Sequence, residues 1–211
     1  MKIAGQSFKF NEVITLEFDK KQLLDLIHKS SCSKTISISE IPDIDLYMDQ
    51  VTGFMEDKLS DFKRTKDDKI LTKTMINNYA KNNIIPSPVK KKYSKEHMIL
   101  LILTYHMKQI LSIGDIHSLL SPISEKVDLK NINGTEIEDL YENFLEIQSK
   151  SYDDFSSKII EKIDEFKEQI HLKEDSEFSI IYSIIFFLII QSTMEKKLAE
   201  NLIDTFFHEK N

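Results

Sequence analysis

Apolar residues recur at helical spacing along most of the chain. One stripe has members three or four residues apart and predicts a helix that begins just after Pro42; its members are Ile44, Met48, Val51, Met55, Leu59 and Phe62. A charged linker, KRTKDDK, separates it from a second helix predicted from Leu71 to about Asn82. A long helix follows from Lys95 to about Leu111, with Ser94 as its cap.

The second half of the chain continues the helical pattern. A short helix after Ser112 is predicted to end at Pro122, and Thr135 to Glu138 form a capping box in front of the next stripe. Two further stripes predict helices: Ile137, Leu140, Phe144 and Ile147, then Phe155, Ile159, Ile163, Phe166 and Ile170. A last helix, or helix pair, runs from about Ser176 to Phe207. Its first half is apolar on nearly every side, so its neighbours or a second subunit must enclose it.

These elements predict a mainly all-α chain with at most a minimal β wing. Four glycines and four prolines in 211 residues, with 41% hydrophobic and 30% charged residues, agree with a helical globular protein. A short helix from Asp19 to about Lys29 comes first. We divide the chain into an N-terminal helical arm, 1–39, a helix-turn-helix domain, 40–122, and a helical dimerisation or sensor domain, 123–211.

Three features of the sequence predict the cellular compartment. The apolar run from Phe178 to Ile190 is too short for a bilayer, which needs about 20 residues, and MKIAGQSFKFNEV has no signal-peptide core. The single cysteine, Cys32, has no partner for a disulfide or a metal motif. We therefore expect a cytoplasmic protein that does not enter the membrane.

The charge of the chain is unevenly distributed. The whole chain carries -7, yet residues 58–97 hold eleven Lys or Arg against four Asp or Glu, a net of +7. Electrostatic attraction acts over about 8 Å at physiological salt, so a local basic surface can bind phosphate on an acidic protein. A lysine-rich face that merely contacts solvent is the alternative explanation of the same charges.

The basic segment contains a helix with one polar side. Lys73, Thr74, Asn77, Asn78 and Lys81 share that side, opposite Leu71, Met75, Ile76 and Tyr79. Asn pairs with adenine in the major groove, and Lys and Thr reach base edges or phosphates.

The helix-terminating residues that follow support the same interpretation. Asn83 tolerates the left-handed conformation that ends a helix, and Pro86 and Pro88 prevent its continuation. The sequence VKKKY then presents Lys90, Lys91 and Lys92 on a short loop, a wing that would lie along the DNA backbone.

The segment resembles the DNA-binding head of MerR-type transcription regulators. There a recognition helix ending in Tyr precedes a Gly-Leu-Leu-Pro turn and a wing that closes in Arg-x-Tyr-Ser; this chain has Asn77-Asn78-Tyr79, Asn83-Ile84-Ile85-Pro86 and Lys91-Lys92-Tyr93-Ser94. More closely, IPDIDLYMDQVTGFM, LTKTMINNYAKNNIIP and KKKYSKEH resemble a bacterial family of uncharacterised proteins with a MerR-like helix-turn-helix, over about residues 40 to 148. The MerR-type arginine of the recognition helix is Asn77 here, and the turn glycine is Asn83.

The resemblance implies a winged helix-turn-helix that binds double-stranded DNA, with phosphate contacts from Tyr79, Lys91 and Tyr93. Together with the polar face and the wing, the predicted DNA-binding residues are Lys73, Thr74, Asn77, Asn78, Tyr79, Lys81, Lys90, Lys91, Lys92 and Tyr93. Arg64 is the only arginine in the chain, so few side chains can form the bidentate hydrogen bonds that recognise guanine. We therefore expect A·T-rich binding sites.

The remaining expectations concern partners and chemistry. Helix-turn-helix proteins place two heads about 34 Å apart on DNA, so we expect a homodimer through the C-terminal helices. An unknown small-molecule effector in that half is the alternative use of its apolar stretch. No phosphate loop, nucleophile elbow or zinc-spaced pair appears, so we predict no enzyme, no metal and no cofactor. We expect a repressor, and the alternative function is a helical adaptor whose basic patch binds an acidic protein.

Overall fold

The computed structural model describes residues 20–31, 35–128, 134–169 and 176–207. Within these ranges the chain is mainly helical, as predicted. The helices are α1 (Lys20–Ser31), α2 (Met48–Leu59), α3 (Lys73–Lys81), α4 (Lys95–Met107), α5 (Ile113–Asp128), α6 (Gly134–Gln169) and α7 (Ser176–Phe206). The strands are β1 (Leu46–Tyr47) and β2 (Lys92–Tyr93), and 3-10 turns lie at Ile38–Glu40 and Ser60–Phe62.

The first core surrounds α4. Nine consecutive residues of this helix, from His97 to Tyr105, are buried, so neighbours cover every side of it. Val51, Met55 and Leu59 of α2 pack there with no exposed surface, which confirms that part of the predicted stripe. The core extends from Ile36 to Tyr141, with Phe144 and Leu145 partly buried against it. We call residues 36–145 the head.

A second and smaller core joins three helices. Ile27 of α1 meets Ile159 and Ile163 of α6 and Ile180 and Ile184 of α7. We call α1 together with residues 146–207 the arm. Because α6 supplies side chains to both cores, it is the element that connects the arm to the head. No helix in the described ranges has both the length and the apolar content needed to cross a bilayer.

The start of α2 corrects one prediction. The helix begins at Met48 instead of just after Pro42, and Ile44 is 69% exposed. The preceding residues form β1, which pairs antiparallel with β2. A two-residue strand is too short to show an alternating pattern, so spacing alone assigned its neighbour Ile44 to the helix.

Two helices are longer than the sequence pattern predicted. Pro122 does not end α5, which continues to Asp128, because one missing N–H at an exposed position leaves the rest of the ladder intact. The stripes at 137–147 and 155–166 lie on one helix, α6, since the polar residues between them include neither Gly nor Pro. The boundary we placed after residue 122 therefore falls inside α5.

Some predictions concern residues outside the described ranges. They are the first nineteen residues of the N-terminal arm, Cys32 and Ile170.

Candidate nucleic-acid interface

The helix α3 begins at a side-chain cap and packs by two residues. Thr72 is the N-cap, and its hydroxyl accepts a hydrogen bond from the Met75 N–H at 3.2 Å. Ile76 and Tyr79, three residues apart, are buried against the head core. The helix is therefore fixed by one side and leaves the other free.

The exposed side of α3 has the composition that the sequence predicted. Lys73, Thr74, Asn77, Asn78 and Lys81 are all exposed. The assignment of Met75 to the packed side was wrong in part, since 36% of this residue is exposed. Leu71 is buried as predicted but precedes the helix.

The end of α3 is fixed by backbone geometry. Asn83 has a φ of 55°, the left-handed conformation predicted for it. Its N–H donates to the Ala80 carbonyl at 3.2 Å, and the Ile84 N–H donates to the Tyr79 carbonyl at 2.9 Å. This pair of bonds is a Schellman motif. The chain then returns to the core through Ile84 and Ile85, both buried.

The predicted wing is a two-residue turn with lysines at its tip. Lys90 and Lys91 have φ values of 51° and 63°, and the Lys92 N–H donates to the Val89 carbonyl at 3.0 Å. Positive φ at both central residues defines a type I′ hairpin turn, in which Asn and Gly are the usual residues. A left-handed conformation costs a lysine about 1–2 kcal/mol. The wing tip thus holds two exposed cations in an unfavourable backbone conformation.

Register places a row of side chains beside the wing tip. Tyr47 pairs with Lys92 across the two strands, and Val89 pairs with Lys92 across the turn. Directly paired residues project to the same face of a sheet, so these three side chains lie together. Tyr47 is 54% exposed and Val89 is 69% exposed, and the Lys92 Nζ stands 5.2 Å from the centre of the Tyr47 ring.

The start of α2 brings α3 and the wing together. Asp49, in the first turn of α2, forms an ion pair with Lys73 at the start of α3. Tyr47, two residues before Asp49, pairs with Lys92 of the wing. The polar face of α3 and the wing therefore border the same helix end. The sequence pattern pointed to neither Tyr47 nor Asp49, because only the strand register shows their position.

Ion pairs concentrate the basic charge of this region. Four lysines of the basic segment have carboxylate partners: Lys58 with Glu40, Lys63 with Glu56, Lys73 with Asp49, and Lys95 with Asp43 and Glu138. Within the described ranges no carboxylate pairs with Lys81, Lys90 or Lys91. The uncompensated cations of the predicted set therefore lie at the end of α3 and at the wing tip.

Two predicted contact residues lie in the head core. Tyr79 is 5% exposed and Tyr93 is 2% exposed, so their rings stabilise the fold. Burial raises the pKa of both phenols above its ordinary range. Any contact with a phosphate is limited to a hydrogen bond from the hydroxyl group at the edge of the ring.

A half-buried lysine fixes the segment that leads into α3. The Lys108 Nζ donates to the Ile70 carbonyl at 2.6 Å and lies 4.7 Å from the centre of the Tyr105 ring. Burial lowers the pKa of Lys108. This bond fixes the end of the loop that precedes Thr72, and with it the position where α3 starts.

The described surface outside α3 and the wing includes an open groove. No group of His, Cys, Asp and Glu side chains in the described ranges is arranged to hold a metal ion. An open groove of about 550 Å³ lies between α6 and α7 of the arm, lined by charged and apolar residues that include Lys150, Phe155 and Glu195. It is remote in the chain from α3 and the wing.

Comparison with known proteins places the head in a family. The family model described as "Domain of unknown function (DUF1836)" matches residues 36–144, about half of the chain and nearly the same residues as the head. Neither curated proteins nor solved structures gave a match. The chain therefore belongs to the family of proteins that contain this domain of unknown function, and the domain is the head that carries α3 and the wing.

Proposed function

We propose that the protein is a sequence-specific DNA-binding transcription regulator with a MerR-like winged helix-turn-helix, acting as a dimeric repressor. In this proposal α3 enters the major groove of double-stranded DNA, where Thr74, Asn77 and Asn78 read base edges. Lys81, Lys90 and Lys91 contact phosphates beside the groove.

The observation that carries the proposal is the placement of α3 and the wing around the start of α2. An exposed helix with small polar side chains and an adjacent cationic turn satisfy the two needs of a DNA reader, base contact and phosphate contact. The strained lysines support it further, because unfavourable backbone conformations cluster at functional sites. Asn at the wing tip would suit the turn better but would carry no charge.

The Lys73–Asp49 ion pair has a defined role in the proposed complex. Both side chains are exposed, so the pair contributes little stability and opens at little cost. On DNA, Lys73 would exchange the carboxylate for a base edge or a phosphate. Asp49 would then repel a misplaced phosphate, which favours one docking register over its neighbours.

A mobility-shift titration tests the proposal. The probe is the duplex upstream of the gene itself, with an unrelated duplex of equal length as reference. The triple variant Lys90→Glu, Lys91→Glu, Lys92→Glu is expected to abolish the shift while its circular dichroism stays unchanged. The matched control is Lys29→Glu, Lys126→Glu, Lys197→Glu, which changes the net charge equally at exposed sites outside the interface.

Salt dependence and base preference separate the two kinds of contact. Each lost phosphate contact reduces the slope of log affinity against log salt by about 0.9. Asn77→Ala is expected to keep the slope but to bring the affinities for the two duplexes closer together. Equal DNA affinity of the wing variant and its control would show that the wing lysines do not contact DNA. A protein without saturable DNA binding at physiological salt would refute the proposal and leave an acidic protein as the partner of the basic surface.

A further inference from the structure

The helix α7 has apolar side chains on two opposite sides, and the described residues cover only one of them. Ile180 and Ile184 are buried against α6 and α1. On the other side of the same half of the helix, five large side chains are between 44% and 57% exposed: Tyr182, Ile185, Phe186, Ile189 and Ile190. Of the two alternatives that the sequence left open, enclosure by neighbours within one copy is not seen in the described ranges, and enclosure by a second subunit remains a prediction.

The exposed apolar surface is longest along one row of side chains. Six side chains between 44% and 62% exposed lie together on it: Tyr182, Ile185, Phe186, Ile189, Ile190 and Met194. We call these six side chains the α7 face. The exposed Leu198 lies outside it, because Leu198 stands five full turns after the buried Ile180 and therefore on the side of the helix opposite the face. Rows at a spacing of four form the ridges that interdigitate in the commonest class of helix packing, and two identical rows fit each other.

The α7 face is large enough for a specific interface. With roughly 200 Å² for each fully exposed large side chain, the exposed fractions of the six residues amount to about 600 Å² per copy. Two copies would together bury about 1,200 Å², the lower end of the range for specific protein interfaces. The largest apolar patch on a monomer is typically ~300–600 Å². The area therefore reaches the upper end of what a monomeric protein ordinarily leaves in water.

The chemistry of the face restricts its partner. No charged residue occurs from Phe178 to Met194. A charged partner would lose its hydration there without gaining an ion pair, which is unfavourable. The partner must present an apolar, uncharged surface of similar length, and a second α7 meets that requirement.

We infer that the α7 face binds the α7 face of a second copy of this chain about a two-fold axis. In this arrangement each α7 is enclosed by its own α6 and α1 on one side and by its copy on the other. The inference rests on the exposed face and not on the proposed function; in the regulator it identifies the contact that pairs the two heads.

Sedimentation equilibrium in the absence of DNA tests the inference. The wild-type chain is expected to be a dimer at micromolar concentration. Phe186→Glu with Ile190→Glu is expected to weaken association by at least ~100-fold, because each charge would be buried without a partner. Both sites are exposed in one copy, so its helical content stays unchanged. The control is Leu26→Glu with Ile44→Glu, at 57% and 69% exposed positions outside α7, which is expected to remain a dimer.

A cross-linking experiment locates the contact independently. With Cys32→Ser to remove the single native thiol, Phe186→Cys or Ile190→Cys is expected to give disulfide-linked dimers on mild oxidation, whereas Leu26→Cys is not. A monomeric wild-type chain, or a dimer that survives the double glutamate variant, would overturn the inference. Binding of monomers to phosphatidylcholine vesicles would do the same and would assign the face to a lipid surface. DNA binding enters none of these readings: a monomeric chain would remove the dimer from the proposed function, whereas the mobility shift alone decides whether the head binds DNA.

Discussion

The head and the arm bury their apolar side chains to different degrees. In the head, Val51, Met55 and Ile99 have no exposed surface, and all of α4 from His97 to Tyr105 is buried. In the arm the apolar residues of the core keep 4% to 8% of their surface exposed, and α7 leaves a wide apolar face in water. The head closes its core within one copy, whereas the arm needs a second surface to complete its own.

The two regions also differ in backbone strain. The left-handed non-glycine residues of the described ranges are Asn83, Lys90 and Lys91, and all belong to the head. The arm consists of long regular helices. A closed core can hold strained loops in place, so the head is the region able to present a preorganised binding surface. The arm is suited to association.

The largest expected effect compares the two cores directly. Ile99→Ala in the head should lower the free energy of unfolding by about 4 kcal/mol, and Ile184→Ala in the arm by about 2 kcal/mol, since a site near the surface relaxes or hydrates more easily. Urea unfolding followed by circular dichroism measures both. Equal losses would show that the arm core is as tightly closed as the head core. If the unfolding midpoint of the arm variant rises with protein concentration, a second copy completes the arm core.

Acid should weaken the head next most strongly. Burial of His106 among Phe62, Tyr105 and Phe144 lowers the pKa of its imidazole to about 4. The neutral ring is favoured in the fold, so the unfolded chain binds the extra proton between pH 6.5 and pH 4. The contribution of the neutral His106 ring to the free energy of unfolding is complete above pH 6.5 and falls by about 3 kcal/mol as the pH drops to 4. His106→Phe should remove this loss in unfolding titrations at both pH values.

The exposed His117 provides the control for the acid effect. His117→Gln should keep the acid sensitivity of the wild-type chain. If His106→Phe keeps it as well, the protonation that weakens the head occurs elsewhere.

A third comparison uses two tyrosine hydroxyls of α6. The Tyr141 hydroxyl, fully buried in the head, donates to the Ile36 carbonyl at 2.7 Å. Tyr141→Phe should cost about 1–2 kcal/mol, because the carbonyl is left without its donor. The Tyr152 hydroxyl, half-buried in the arm, accepts a bond from Gln148 within one helix, and Tyr152→Phe should cost only a few tenths of a kcal/mol. A smaller loss at Tyr141 than at Tyr152 in thermal melts would contradict the comparison.

The smallest effect concerns the strained wing. Lys91→Gly should raise the free energy of unfolding by about 0.5–1 kcal/mol, since glycine adopts a positive φ without strain, and should weaken DNA binding because a phosphate contact is lost. Lys92→Gly, at a position without positive φ, should instead destabilise the head. Urea unfolding together with a mobility shift separates the two effects. A gain in stability without a loss of affinity would mean that Lys91 does not touch DNA.

Local chemistry made the elements around the interface predictable from sequence. The Thr72 hydroxyl accepts from a backbone N–H of the first turn, and the Asn83 N–H donates to a carbonyl of the last turn, so the bounds of α3 follow from a short segment. The Ser94 N–H donates to the His97 imidazole, which fixes the start of α4 in the same local way. The polar face of α3 was predictable because the helical period separates Ile76 and Tyr79 from the exposed positions.

Contacts distant in the chain were not predictable. The pairing of Tyr47 with Lys92 and the bond from Lys108 to Ile70 join segments 38 or more residues apart, and no local period encodes them. The same limit explains the error at Ile44, whose spacing fits a helix that the strand pairing replaces.

The unbroken course of α6 has a mechanical consequence. Tyr141 is embedded in the head and Ile159 in the arm, about 27 Å further along one rigid rod. A tilt of roughly 10° where the rod is clamped by α1 and α7 would displace the far end by about 5 Å, more than the ~3.4 Å step between base pairs. In a paired molecule, a small repacking of the arm would thus shift the spacing of the two heads by more than one base-pair step.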